Sequence, residues 1–197
     1  SILQKHCDMA ENLIDNGLTR ITVLGTCLEY GQEGELSEEA ETLPKIHYAK
    51  GKDLYRSTLF KLKARGSIEV QWLRLFYHYG PQQKESTIFS QLLFADKKNK
   101  IFNMSCGEQE RDYLHIDQVI EYVVYISQKC KDVGVVNICS NNPIKIKDLV
   151  NIWIKELNLN VQVNLCQYPY SEYEPFKFWG CNKKLIKLTS NKDVSTK

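Results

Sequence analysis

The run RITVLGT, residues 20–26, decides the fold of this chain. It is short, apolar and rich in β-branched residues, which predicts a buried strand. A helix ends near Gly17 just before it, and a second helix is predicted after a polar loop, from about Lys45 to Ala64. Because strand-like and helix-like runs keep alternating along the chain, the sequence predicts parallel strands joined by crossover helices, an α/β sheet.

The rest of the chain extends the same pattern. Strands are predicted for IEVQWLRLF, KIFNMS, VGVVNICS and VQVNL. Helices are predicted for STIFSQLLFADKK, DQVIEYVVYISQKC and IKIKDLVNIWIKEL. Ligands of such sheets lie beyond the carboxyl ends of the strands. We therefore expect the site where LGT (24–26) ends one strand and LRLF (73–76) leads out of another.

Composition narrows the class of protein. A hydrophobic fraction of 43% and a charged fraction of 25% are typical of an ordinary soluble globular protein. The net charge of +2 comes from scattered basic residues, which disfavours nucleic acid as a partner. The sequence shows no long apolar span and no signal-peptide pattern, so we expect no membrane partner and a cytoplasmic location. The seven cysteines are odd in number and lack a C-x-x-C pair, so free thiols are expected, and no metal site.

One pair of residues, Tyr48 and Lys52 in HYAKGKDLYR (47–56), suggests acid–base chemistry. On a helix, their spacing places both side chains on one face. A lysine ammonium near a phenol favours the phenolate, so the tyrosine could exchange a proton near neutral pH. The same spacing recurs in YISQK (125–129) and YEPFK (173–177), so spacing alone does not identify a catalytic pair.

Four motifs occur in an order that carries a resemblance. They are LGTCLEYG (24–31), YAKGK (48–52), LRLFYHYGP (73–81) and ERDYLHIDQV (110–119). Together they resemble the extended short-chain dehydrogenase/reductase family, whose members are NAD(P)-dependent epimerases, dehydratases and reductases of nucleotide sugars. The resemblance implies the C-terminal portion of a Rossmann-like, doubly wound parallel sheet with a small C-terminal substrate-binding part.

The same resemblance implies how the chain is divided and what it binds. Residues 1–80 would be the remainder of the dinucleotide-binding domain. Residues 81–197 would mainly bind substrate, with a strand and helix at about 115–140 returning to the core sheet. The implied cofactor is NAD or NADP, and the implied partner is a nucleotide-diphosphate sugar.

By resemblance, three residues carry the chemistry. The hydroxyl of Thr26 would hydrogen-bond the reacting sugar oxygen, Tyr48 would donate or accept the proton, and Lys52 would lower the pKa of Tyr48 and hold the cofactor ribose. Context favours this tyrosine, because only Tyr48 begins a helix after a strand that ends in a hydroxyl residue. YISQK lies among apolar helical residues, and YEPFK contains Pro175, which disfavours an internal helical turn.

Other residues are implied to bind substrate, each with a structural alternative. Arg111 would reach the diphosphate, or else form an ion pair with Asp112. Arg74 would face the site, or else lie over apolar neighbours at the surface. Tyr77 stands where many members have Asn, and would contact substrate or pack among aromatic side chains. Trp179 in EPFKFWG would cover the nucleotide.

The residues after Thr26 narrow the reaction. Family 4,6-dehydratases usually place an Asp–Glu pair there, whereas this chain has Cys27 and Leu28, and Cys27 would touch substrate instead. Glu29 is expected to point to the other face of an extended strand, so a dehydratase is disfavoured. GTCLEYG, the FY before YGP, and EPFKFWG resemble a branch of bacterial 4-ketoreductases similar to CDP-abequose synthase. We expect a 4-ketoreductase or epimerase; the alternative is a non-catalytic sugar-nucleotide-binding subunit.

The sequence contains no G-x-x-G-x-x-G phosphate loop. In the family this loop precedes the point at which the chain starts, which implies that a block on the order of 90 residues, about three βα units, is missing. We expect a longer natural protein rather than a shortened product that no longer binds NAD(P). Without that block, ITVLG (21–25) is expected to form an exposed edge strand. The resemblance alone implies a homodimer through the first helix and the Tyr48 helix.

Overall fold

The computed structural model describes residues 2–66, 68–170 and 175–190. Its strands are β1 (Arg20–Thr26), β2 (Gly34–Leu36), β3 (Glu69–Leu75), β4 (Tyr77–Tyr79), β5 (Phe102–Asn103), β6 (Glu110–His115), β7 (Gly134–Ile138), β8 (Pro143–Lys145), β9 (Val163–Asn164) and β10 (Phe178–Gly180). Its helices are α1 (Ile2–Asp15), α2 (His47–Ala64), α3 (Ile88–Lys97), α4 (Ile116–Lys129), α5 (Ile146–Glu156) and α6 (Lys183–Thr189), with a 3-10 helix at Cys27–Glu29.

The central sheet has the strand order β1-β3-β7, and all its pairings are parallel. Thr26 lies opposite Leu75, which lies opposite Ile138, so the three carboxyl ends meet at one edge. This confirms the predicted parallel α/β sheet. Among the described residues β1 pairs with β3 alone, and Leu24 is 44% exposed, so β1 is an edge strand.

Helices cover both faces of this sheet because successive strand residues point to opposite sides. On one face, Val70 and Trp72 of β3 pack against Ala10 of α1 and Leu59 of α2. On the other face, a second cluster joins β3 and β7 to α4 and α6; its buried members include Leu73, Val119, Ile126, Val136 and Leu185. The doubly wound arrangement follows from this alternation.

A second group of elements lies beyond the carboxyl ends of the sheet. β4 pairs with β6 in parallel and β6 pairs with β8 antiparallel, while β5 pairs with β9. α3 and α5 cover them through an aromatic and aliphatic core that includes Phe89, Leu92, Phe102, Leu149 and Trp153. β10 pairs with β2. These short strands build the walls of the candidate site.

The expectation that the cysteines are free thiols is wrong for two of them. Cys106 and Cys166 form a disulfide, while Cys7, Cys27, Cys130, Cys139 and Cys181 are free. The disulfide forms because β5 pairs with β9, Phe102 opposite Val163, which brings the two following loops together. Because the two cysteines are 60 residues apart, no local sequence pattern predicts their contact.

In the parts of the chain that the structure describes, no helix has both the length and the apolar character needed to cross a membrane. Within the same residues, no three His, Cys, Asp or Glu side chains come together as metal ligands could.

Candidate functional site

A cavity of about 790 Å³ opens at the carboxyl ends of β1 and β3. Its wall is formed by the end of β1, the start of α2, the strands β4 and β6, and the loop from β4 to α3. The cavity therefore lies between the central sheet and the second group of elements, where the strand-end rule predicts a ligand. Its lining includes Thr26, Cys27, Tyr48, Tyr77, His78, Gln82, Gln83, Lys84, Ser105, Gln109, Arg111 and Tyr113.

Thr26 reaches this cavity because β1 ends there and turns into the 3-10 helix. Its side chain is 8% exposed, and Oγ1 accepts a hydrogen bond of 3.4 Å from the amide of Leu28. Its own amide donates to Oε1 of Glu29 at 2.9 Å. Since Oγ1 already accepts a bond from the protein, its proton can be donated to a ligand oxygen.

Tyr48, the second residue of α2, lines the same cavity and is 57% exposed. Lys52 lies one turn further along α2, and its Nζ donates to the carbonyl oxygen of Leu24 at 2.9 Å. Partial burial, followed by the nearby Glu29 carboxylate and Cys27, raises the pKa of Tyr48. Lys52 is not among these causes, and its ammonium donates to a backbone carbonyl, so its lowering of the Tyr48 pKa stays a prediction.

Three of the residues predicted to bind substrate, Cys27, Tyr77 and Arg111, line the cavity. Tyr77 of β4 stacks on Tyr113 of β6 with ring centroids 5.3 Å apart. Arg111 is 3% exposed; its Nη1 donates to the carbonyls of Glu110 and Phe176, at 2.9 Å each. These contacts hold the guanidinium at the cavity wall.

The structural alternative for Arg111, an ion pair with Asp112, does not form. As the next residue of a strand, Asp112 points to the opposite side. Its carboxylate accepts hydrogen bonds from the amides of Ser140, Asn141 and Gly180 and from the Ser140 hydroxyl.

Arg74 and Trp179 are not among the described residues that line the cavity. Arg74 is 1% exposed, and its Nε donates to Oε2 of Glu29 at 2.7 Å, so the prediction that it faces substrate is wrong. Burial alone would lower the pKa of Arg74, but Tyr30 and Glu29 hold it above its usual value. Trp179 is half-buried on β10, paired with Glu35 of β2, so the structure does not place it over this cavity.

Glu29 is the residue that the sequence interpretation missed. It was expected to point away on an extended strand, but β1 ends at Thr26 and the 3-10 helix turns the Glu29 carboxylate back towards Thr26. The side chain is fully buried and also accepts from the Trp72 indole N–H at 3.1 Å. The signal was present, because Thr26 and Glu29 have the T-x-x-E spacing of a capping box, and both of its hydrogen bonds form.

The residues present fit one end of a nicotinamide dinucleotide. The Tyr48 hydroxyl and the Lys52 ammonium lie one helical turn apart beside the edge strand, where they can hold ribose hydroxyls. The sequence contains no glycine-rich phosphate loop, so these residues account for the ribose end alone.

Known proteins resemble the chain over most of its length. A curated relative, dTDP-6-deoxy-L-talose 4-dehydrogenase (NAD(+)) of Aggregatibacter actinomycetemcomitans, is 25% identical over 90% of this chain and 67% of its own length. The structure of MoeE5 in complex with UDP-glucuronic acid and NAD matches 91% of this chain and 61% of its own, with a TM-score of 0.80 and 21% identity. UDP-glucuronic acid 4-epimerase from Bacillus cereus, in complex with UDP-glucuronic acid and NAD, matches 87% and 55%, with a TM-score of 0.76 and 23% identity.

These solved structures establish a Rossmann-like fold, and the chain spans about three fifths of their lengths. The model of the NAD dependent epimerase/dehydratase family matches residues 3–139, which is more than half of the chain and includes Thr26, Tyr48, Lys52 and Arg111. The chain therefore belongs to the NAD-dependent epimerase/dehydratase family.

Proposed function

We propose that this chain carries the acid–base and sugar-binding residues of an NAD(P)-dependent nucleotide-sugar oxidoreductase that acts at C4 of the sugar. One observation carries the proposal: Thr26, Tyr48 and Arg111 line the same cavity. A hydroxyl, a phenol and a guanidinium are the groups needed to orient a sugar oxygen, transfer its proton and bind a diphosphate. The relatives support position 4, since one is a 4-dehydrogenase and another a 4-epimerase.

In the direction of 4-keto sugar reduction, Tyr48 would donate its phenolic proton to the C4 oxygen, and the same group would accept that proton in the reverse direction. Thr26 would hold that oxygen through its free proton, and Lys52 would hold the cofactor ribose. The cofactor, when bound, supplies the hydride to C4. A reductase of the branch that resembles CDP-abequose synthase is the finer form of this proposal, and an epimerase is its closest variant. The homodimer and the cytoplasmic location stay predictions.

The decisive experiment compares two tyrosine variants of matched spacing. Tyr48→Phe removes the proton donor, so kcat should fall by about 100-fold or more while nucleotide-sugar binding is largely kept. Tyr125→Phe is the control, because Tyr125 also precedes a lysine by four residues but lies on α4, outside the cavity lining. NAD(P)H oxidation measures turnover with 4-keto sugar nucleotides, and calorimetry measures binding. Turnover retained in Tyr48→Phe would refute the proposal.

A second candidate is a sugar-nucleotide-binding subunit without its own redox activity. It is supported by the cavity itself, since Arg111 lines it and a guanidinium can bind a diphosphate without a cofactor. It predicts calorimetric binding of nucleotide sugar by the 197-residue chain and no change in NADPH absorbance. Cofactor-dependent turnover by the chain alone would exclude it.

A further inference from the structure

We infer that Glu29 is a positioning residue, whose buried carboxylate fixes Thr26 and ties the end of β1 to β3 and α2. The catalytic consequence of this role rests on the proposed function, whereas its geometry can be tested without any turnover.

The first step is the direct contact with Thr26. Oε1 of Glu29 accepts the Thr26 amide at 2.9 Å, and Thr26 is the residue that presents its hydroxyl to the cavity. Glu29 itself is 0% exposed and does not line the cavity. It can therefore influence a ligand only through the residues that it holds.

The second step is the anchoring of Glu29 to β3. Both carboxylate oxygens accept the Trp72 indole N–H at 3.1 Å, and Oε2 accepts Nε of Arg74 at 2.7 Å. Trp72 and Arg74 are themselves buried, so this anchor has little freedom to move. A Cβ at Gly25 would overlap the Trp72 indole and lie 2.7 Å from Oε1, so glycine at that position is what lets these groups approach β1.

The third step is the link to the helix of Tyr48. Arg56 lies two turns after Tyr48 on α2, and its Nε is 4.0 Å from Oε2 of Glu29. Arg56 is also paired with Asp53 of the same helix, at 2.7 Å, which holds its guanidinium in place. One carboxylate thus connects the strand that ends in the substrate-orienting hydroxyl, the neighbouring strand, and the helix that carries the proton donor.

The expected effect falls on turnover rather than on binding. Tyr77 of β4 stacks on Tyr113 of β6, and Arg111 of β6 donates to the carbonyls of Glu110 and Phe176, whereas Glu29 holds the end of β1. A displacement of about 1 Å at a reacting group can cost about 100-fold in rate. We therefore expect Glu29→Gln to lower kcat by about 100-fold and to leave the Kd for nucleotide sugar nearly unchanged.

Glu69→Gln is the matched control. Its carboxylate accepts Arg20 Nε at 2.7 Å and also joins β3 to β1, but at the opposite ends of the strands. It should leave kcat within about twofold of wild type, as expected of a partly exposed ion pair. An equal loss of turnover in both variants would overturn the inference, as would an unchanged kcat in Glu29→Gln.

A double variant tests the role of Glu29 without leaving a buried charge unpaired. Glu29→Gln leaves Arg74 buried without its counter-charge, whereas E29L/R74M removes both charges and should fold. In E29L/R74M the Thr26 amide loses its acceptor, so its hydrogen exchange, read by NMR, should accelerate about tenfold relative to the amides of Thr22 and Val23. Unchanged relative protection of Thr26 overturns the inference. If wild type turns over no sugar nucleotide, the proposed function fails, and the exchange result alone decides the role of Glu29.

Discussion

Replacing Asp112 by Asn tests how the candidate site is held together. Asp112 of β6 is 0% exposed. Its Oδ1 accepts the amide and hydroxyl of Ser140, at 2.8 and 2.7 Å, and its Oδ2 accepts the amides of Asn141 and Gly180, at 2.9 and 3.3 Å. The carboxylate therefore joins the strand of Arg111 to the loop after β7 and to β10.

The size of the effect follows from counting donors. An asparagine keeps one acceptor oxygen and replaces the other by an NH2 group. When the NH2 group faces Ser140, the Ser140 hydroxyl can turn to accept from it, so one backbone amide is left facing a donor. Each buried donor left without an acceptor costs about 1–3 kcal/mol. We expect Asp112→Asn to lower the free energy of unfolding by about 2 kcal/mol, equivalent to about 4–8 °C in Tm for a chain of this size.

Urea unfolding followed by tryptophan fluorescence measures this loss, with the free energy extrapolated to water. Glu110→Gln is the control, because Glu110 lies on the same strand and pairs with Lys177 at 2.7 Å, but this pair is partly exposed. It should cost at most about 1 kcal/mol. If Asp112→Asn loses no more stability than Glu110→Gln, the carboxylate does not join these elements and the reasoning is refuted.

Two further predictions concern the disulfide and a buried tyrosine. Cys106→Ser should cost about 4 kcal/mol of unfolding free energy in the chain-entropy model, because the Cys106–Cys166 disulfide closes a loop of 60 residues. Alkylation of the unfolded, unreduced chain should find five thiols, and seven would contradict the pairing. Burial raises the pKa of Tyr30 from 10.0 to about 12 against the lowering effect of Arg74. A raised pKa stabilises the fold below pH 10, and this contribution, about 3 kcal/mol, is lost as the pH rises towards and through 12. Urea unfolding from pH 9 to 12 should show a weaker pH dependence in Tyr30→Phe than in wild type, and an identical dependence would contradict the prediction.

The sequence predicts the central sheet well because its strands carry their own signals. RITVLGT matches β1 at both ends, and the predicted helix from Lys45 to Ala64 differs from α2 by two residues at its start. The strand β6 was recognised only as a motif, because ERDYLH has no apolar alternation. There Arg111 is buried and donates to the carbonyl of Phe176. Asp112 is buried and accepts from Ser140 and Gly180. Such partners lie too far along the chain to be seen in a local pattern.

The Lys-rich C-terminal run shows a similar limit. The helix α6 forms within it and buries Leu185 against β7 and α4, and the lysines alone do not predict this packing. The remainder of that run, residues 191–197, lies outside the described residues, as does Tyr173 of the third tyrosine–lysine pair.

The candidate site was predictable to the extent that it depends on strand ends. Thr26 and Tyr48 could be assigned to one place because a strand end and a helix start meet there, and the structure places both in one cavity. Arg74 could not be assigned in this way, because its side-chain direction depends on the Glu29 carboxylate, 45 residues away. A charge at the end of a strand predicts a ligand contact only when no buried counter-charge lies beneath the strand.

Glu29 and Asp112 each hold one wall of the cavity in place. Each is a fully buried carboxylate, and each receives hydrogen bonds from segments distant in the chain. Glu29 fixes the end of β1, which carries the Thr26 hydroxyl, and Asp112 fixes the wall that carries Arg111. Hydrogen bonds to a buried charge are directional and costly to break, so they define positions more sharply than aliphatic packing does. Loss of Glu29 should therefore impair turnover as well as stability, because Glu29 holds Thr26 at the cavity and is the counter-charge of buried Arg74. Loss of Asp112 should act mainly on stability, because Asp112 joins three elements around the cavity.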